Sequence, residues 1–415
     1  MRPRGALPGL LPGLLLVALS LPVLGGWAPT YAAGEAPCDP AILADTERTA
    51  DVAVRIGRPA ARMHVPEAQR YSTGAGVTVA VLDSGVGEGL GIDARVESVP
   101  GFEGPLLSGH GTLVAGLIAG PDGVAPDASV LSMRVLDKNE PNPDMGERGV
   151  SSTAMAVGLQ RLADLHGQVG FDIVNVSLTV PGDDPALRAA IKRIQRLGVL
   201  VVAASGNADA DTDQPNPGTA SNDAEVYPAD YPGVVAVSAV ASVPGVDLRD
   251  YVRPNAETTV AAPTDGAISV NLNGQRCQVV GEIATSYAAA QVSGVLALLR
   301  ARFPRETPRQ LVARLTETAE GSGAAADPWS GAGVVQAADA LTHELAPARD
   351  GELARSSVEP GADAQAPVAP ERPDLHGTSR TVLLWAAVLG GALAVLAFVL
   401  RPLLKPRRAR AAQRR

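Results

Sequence analysis

Cysteine and lysine are scarce in this chain, and acidic residues are missing from both of its ends. Its 415 residues include two cysteines, Cys38 and Cys277, and three lysines against 32 arginines. Two cysteines this far apart in sequence cannot by themselves supply the clustered ligands of a cysteine-rich metal site. That leaves a disulfide formed in an oxidising compartment or two free buried thiols, and the export signals described next favour the disulfide. The shortage of lysine points to a GC-rich coding sequence more than to a mechanism. No internal repeat is present either, so a solenoid or propeller array is excluded.

The acid-free ends read as targeting segments. Residues 1–33 carry Arg2 and Arg4, then the apolar run LPGLLLVALSLPVL, then small residues leading to a cleavage point after Ala32 or Ala33. This is the order of a secretory signal peptide, and prolines in a short apolar run argue against a permanent first anchor. Thr381–Leu400 is a 20-residue stretch without charge, about what a bilayer needs. Seven basic residues and no acidic one follow it, and such flanks stay on the cytoplasmic side. The expected topology is a single pass through the cell membrane, the globular part outside and a short basic tail against lipid headgroups inside. Residues 34–380 carry 26 basic and 44 acidic residues, net −18, which excludes a nucleic-acid partner.

Within the exported part, residues 346–380 are rich in Pro, Ala and charge and hold almost no large apolar side chains. They cannot build a core and read as an extended stalk. Upstream, β-branched runs (Gly76–Asp83, Ser129–Leu136, Asp172–Leu178, Val199–Ser205, Val234–Val240) alternate with helical stretches (GTLVAGLIAG, TAMAVGLQRLADLHGQ, DPALRAAIKRIQRLG). Continuous apolar strands separated by helices predict an α/β fold, a mainly parallel sheet covered by helices on both faces. In such sheets functional residues gather where strands end and helices begin.

Four such places carry polar residues that packing does not require. Asp83 ends the apolar strand of VAVLDSGV. His110 sits between two glycines at the start of a helix in GHGTLVAGLIAG, and the other four histidines have no such setting. Asn207 follows a strand in VVAASGN. Ser286 opens a helix in TSYAAAQVSGVLALL, whose N-terminus aims partial positive charge at an oxyanion there. Each alone has a plain structural reading, as a cap, a turn residue or a buried serine.

Together the four local sequences resemble the segments of subtilisin-like serine proteases, with acid, base and nucleophile in the chain order of subtilisin. The resemblance covers roughly residues 66–342, aided by YPADYPGVVAVSAV and VAAPTDG. The entry VPEAQRYSTGAGVTVAVLDSGV and the overall layout are similar to the mycosins, the membrane-anchored subtilases of type VII secretion systems. The resulting organisation is a signal peptide (1–33), an N-terminal extension (34–65), a protease domain (66–345), a stalk (346–380), a transmembrane helix (381–400) and a cytoplasmic tail (401–415).

The resemblance implies that Asp83, His110 and Ser286 are the catalytic residues, that Asn207 is the oxyanion donor, and that Asn175, Ser177 and Leu178 belong to the substrate-pairing strand. It calls for no cofactor, and no metal-ligand cluster is specific enough to name. Partners would be a protein or peptide substrate, type VII membrane components and lipid. The alternative role is a scaffold subunit that stabilises a secretion complex. Three departures from the family pattern stand out: Thr179 and Ala284 where it has glycine, and Ala290 where it has proline. A glycine needed for positive φ or close approach would make Ala284 costly by about 1 kcal/mol and slow the enzyme. Asp137–Ser152 is expected to border the cleft as a lid or docking surface, and Gly34–Val65 to wrap the body, tied by Cys38–Cys277.

Overall fold

The computed structural model describes residues 36–208, 225–321 and 326–352, and six positions from Trp385 to Leu396. The expected signal peptide, most of the stalk, the tail and most of the expected membrane helix therefore lie outside the described residues. The six described positions of that helix are helical. Among the described residues no helix is long and apolar enough to cross a membrane.

In chain order the strands are β1 (Thr78–Asp83), β2 (Ala94–Ser98), β3 (Ser129–Arg134), β4 (Ile173–Val176), β5 (Val180–Pro181), β6 (Leu200–Ala204), β7 (Val226–Tyr227), β8 (Val235–Val240), β9 (Thr258–Pro263), β10 (Ile268–Val270) and β11 (Arg276–Gln278). Seven of them form one parallel sheet in the order β2-β3-β1-β4-β6-β8-β9. The apolar runs became its interior strands because both of their faces are covered: β4, β6 and β8 are buried at every residue. The edge strand β2, ARVES, had no such run to betray it and keeps Arg95 exposed.

The helices are α1 (Arg58–Arg62), α2 (Val65–Ala68), α3 (His110–Ile118), α4 (Ser152–Val169), α5 (Pro185–Arg196), α6 (Thr285–Arg302), α7 (Pro308–Glu317) and α8 (Ala337–Thr342). One face of the sheet packs on α4 and α5, the other on α3 and α6. Surface helix α5 is amphipathic, burying Leu187, Ala190, Ile191 and Ile194, and starts at a cap where Asp184 accepts the Ala186 and Leu187 N–H groups. Helix α6 differs. It is apolar or small all round and buried from Thr285 through Leu299, so the whole domain closes over it.

Residues 36–52 wrap the antiparallel β10–β11 hairpin. Cys38 and Cys277 are disulfide-bonded with their Cα atoms 4.8 Å apart. The Cys38 N–H donates to Gln278 O (2.8 Å) and the Gln278 N–H to Ala36 O (2.8 Å), which adds a short third strand. Buried Gln275 holds Thr49 and Ala50, and Arg276 reaches Val52 O while pairing with Asp122 at 2.7 Å. Packing also runs past the expected domain boundary at 345. Thr307 Oγ1 donates to Arg349 O and Gln310 Nε2 to Pro347 O, so the first stalk residues lie against the start of α7.

Asp137–Ser152 is braced rather than open. Asp137 is buried and accepts from Arg134 (2.7 Å) and Arg148 (3.0 Å), and the Arg148 guanidinium sits 3.6 Å above the Phe102 ring. None of its residues lines the pocket that Thr179, Asn207 and Ser286 share.

The disulfide closes a loop that spans most of the domain, and loops of this size give the larger entropic stabilisation. The Cys38→Ser/Cys277→Ser double variant is expected to lose about 2–5 kcal/mol. Thermal unfolding of oxidised wild type beside the double variant tests this; equal midpoints would leave the extension held by its hydrogen bonds alone.

Candidate active site

The strand order decides where the site lies. Strands β1, β4 and β6 are neighbours in parallel register, so their C-terminal ends fall side by side. Asp83 is the last residue of β1, Ser177 follows β4, and Asn207 follows β6 across Ser205-Gly206. Helices α3 and α6 bring His110 as their first and Ser286 as their second residue.

Asp83 is 1% exposed and its Oδ1 accepts two hydrogen bonds, from the Ser84 N–H (2.7 Å) and from His110 Nδ1 (2.8 Å). A carboxylate only accepts, so the imidazole proton sits on Nδ1 and the neutral ring keeps Nε2 as an acceptor. The turn after Asp83 needs its glycine: Gly85 has φ +100°. Gly111 needs its own for a different reason, since a Cβ there would lie 2.4 Å from Gly85 O. The start of α3 thus rests directly on the Asp83 turn. Ser84 Oγ accepts the Gly111 N–H (3.0 Å), and Ser108 Oγ accepts the His110 N–H (3.2 Å). Behind the histidine, the Gly109 N–H donates to Pro40 O at 2.7 Å, a contact from the N-terminal extension that no sequence signal announced.

Asn207 is oriented by its neighbour. Its Oδ1 accepts both the Thr285 N–H (2.8 Å) and the Thr285 hydroxyl (2.9 Å). That spends the acceptor end of the amide and leaves Nδ2 to donate. Asn207 and Ser286 line one cleft of about 410 Å³, together with Ser177, Thr179, Val226 and Arg253. The Ser286 N–H belongs to the first turn of α6, where helix donors have no partner within the helix. No hydrogen bond joins the Ser286 hydroxyl to His110 among the described contacts.

One expectation changes in part. Ala284 has φ −124° and ψ 130°, an extended conformation open to any residue, and packs against the core. No strain is stored there, so the slow-enzyme argument loses its strain half and keeps only the close approach of substrate. The family pattern places Asn175 and Ser177 in a substrate-pairing strand; both side chains point inward, which leaves the backbone edge as the surface for pairing. Asn175 is fully buried, its Nδ2 donating to Ser177 Oγ (2.9 Å), while Ser177 Oγ–H donates to Ser286 O (2.8 Å). Leu178 is buried as well, and the chain then joins β7 through β5. Thr179 lines the cleft, where the family's glycine would leave more room.

Tyr287 and Glu282 are functional neighbours that sequence reasoning missed. The Tyr287 ring, 2% exposed, stacks on the His110 ring with centroids 5.8 Å apart. Its hydroxyl faces the Glu282 carboxylate. Burial, the largest influence on His110, disfavours the charged ring. The charge and hydrogen bond of Asp83 and the charge of Glu282 together outweigh it, so His110 titrates above its ordinary range. Partial desolvation pushes up the carboxyl of Glu282, an exposed residue, and full burial is the first reason Tyr287 stays protonated.

Residues 74–343 match the subtilase family. The chain belongs to that family. It is a serine-type endopeptidase by that membership, and its relatives include the mycosins. It is 34% identical to mycosin-1 of Mycobacterium tuberculosis over 357 residues, covering 72% of this chain and 77% of the relative. It is 32% identical to mycosin-4 of the same organism, covering 91% and 89%. The solved structure of MycP3 protease from the type VII (ESX-3) secretion system superposes with a TM-score of 0.58 at 30% identity, covering 75% of this chain and 93% of that one. Among the described residues no group of three or more His, Cys, Asp or Glu side chains gathers as a metal site.

Two outcomes follow from the geometry. A base must be neutral to take a proton, so the rate of labelling by a fluorophosphonate should rise with pH through a midpoint above the usual histidine value. Glu282→Gln removes one charge that favours the protonated ring and should move that midpoint down; an unmoved midpoint would show that Glu282 does not act on His110. Ala284→Gly should leave the labelling rate within about twofold of wild type, because the position carries no backbone strain to release.

Proposed function

We propose that this protein is a single-pass, membrane-anchored, extracytoplasmic serine endopeptidase that works with a type VII secretion system through Asp83, His110 and Ser286. The observation that carries the catalytic part is the buried Asp83–His110 pair, which fixes the tautomer of a ring stacked on Tyr287, the residue next to Ser286. The secretion assignment is supported by likeness to the MycP3 protease of such a system. The topology rests on the acid-free ends of the sequence and on an alignment with mycosin-4 that extends over 91% of the chain.

In this reading Ser286 Oγ attacks a peptide carbonyl while His110 Nε2 takes its proton. The tetrahedral oxyanion is held by the Ser286 N–H and the Asn207 Nδ2–H, both donors set before substrate arrives. His110 then returns the proton to the leaving amine, and water repeats the sequence on the acyl-enzyme. Asp83 holds the imidazole tautomer and stabilises the imidazolium. The basic tail would meet anionic headgroups on the cytoplasmic side.

A second duty, stabilising the secretion complex, is supported by the extension: its disulfide and hydrogen bonds hold a fixed surface outside the cleft. One pair of experiments separates the two. Wild type should be labelled by a fluorophosphonate and Ser286→Ala should not; failure to label either would end the protease reading. Asn207→Ala should slow labelling by about 10²–10³-fold, the loss typical of one oxyanion donor. In cells, secretion that survives Ser286→Ala but not deletion would make the scaffold duty the main one.

A further inference from the structure

Ser286 is held from behind by a chain of buried polar groups that reaches two turns down its own helix. Ser293 Oγ lies 2.9 Å from Asn175 Oδ1, Asn175 Nδ2 lies 2.9 Å from Ser177 Oγ, and Ser177 Oγ lies 2.8 Å from the carbonyl oxygen of Ser286. Asn175 and Ser293 are fully buried and Ser177 is 5% exposed. An apolar trio would fill the same space without the cost of desolvating three polar side chains.

Every proton in this chain has one allowed place. The Ser286 carbonyl can only accept, so the single hydroxyl proton of Ser177 goes to it. Ser177 Oγ must then accept from Asn175, which requires the Nδ2 end of the amide to face it. That turns Oδ1 toward Ser293, whose hydroxyl has to donate. The chain spans two elements: Asn175 lies near the end of β4, Ser177 lies on the cleft wall, and Ser286 and Ser293 share α6. Its members thus fix the spacing between the wall of the cleft and the backbone of Ser286.

We propose that Ser293 is a positioning residue for Ser286, acting through Asn175 and Ser177 although it touches neither substrate nor His110. The inference rests on Ser286 being the nucleophile. With Ser293→Ala, Oδ1 of Asn175 loses its donor, the amide is free to turn, and Ser177 can release the Ser286 carbonyl. Misplacement of a nucleophile by a fraction of an ångström to an ångström costs about tenfold to a hundredfold in rate.

The test measures fluorophosphonate labelling of the full-length protein in detergent over a range of probe concentrations and pH, with thermal unfolding recorded for each variant. Ser293→Ala should lower the maximal labelling rate at least tenfold. The half-saturating probe concentration and the pH midpoint should stay unchanged, because the His110–Asp83 pair is untouched. Ser293→Thr keeps a hydroxyl and should recover most of the rate. Folded Ser293→Ala labelling as fast as wild type overturns the inference and leaves the protease reading intact, whereas a wild type that does not label overturns both. Should Ser293→Ala not fold, Ser177→Ala, which removes the donor to the Ser286 carbonyl, takes its place: a tenfold slower maximal rate supports the inference and a wild-type rate overturns it.

Discussion

Burial of α6 is the constraint from which the site follows. A helix that hides every side chain from Thr285 to Leu299 has no solvent face by which to shift or roll. Its first turn is therefore fixed against the sheet, and the residue in its second position is fixed with it. The three strand ends that meet that turn are fixed by their ladders in the same way. What surrounds Ser286 is a rigid corner of a large core, and the polar groups there keep their spacing because the packed core behind them leaves little room to move.

The same burial makes the electrostatics matter. Asp83 and His110 face one another with almost no water between them, so a single carboxylate oxygen decides which ring nitrogen carries the proton. A second acid, Glu282, adds its field from the loop before α6. The result is a base whose charged form is favoured more than in an ordinary histidine, suited to hold a proton for the moment between attack and departure of the amine.

Much of this was legible in the residues and some was not. Interior strands announce themselves because burial on both faces demands unbroken apolar runs; β2, at the edge, meets no such demand and carries no such signal. Asp83, His110, Asn207 and Ser286 stood out as polar residues at element ends, where packing gives them no reason to be. Glu282 and Tyr287 could not stand out, since nothing in a sequence separates a carboxylate beside a histidine from one in solvent. The inward turn of Asn175 and Ser177 was likewise hidden, because a strand's pairing edge and its side-chain face are read from the same letters. Position 284 misleads in the other direction: a family glycine suggests positive φ, but the backbone there is extended and the alanine sits without strain.

The ring of contacts between residues 36–52 and the β10–β11 hairpin ties the beginning of the domain to a segment only nine residues ahead of Ser286. A chain made from its N-terminus cannot complete that ring until Cys277 exists, late in residues 66–345. Parallel pairing of distant strands imposes the same delay. The cleft is thus among the last parts to take shape, and an unfinished chain has no means of cutting its neighbours or itself. Assembly order, built into the topology, can do the work of restraint that a removable inhibitory segment does elsewhere.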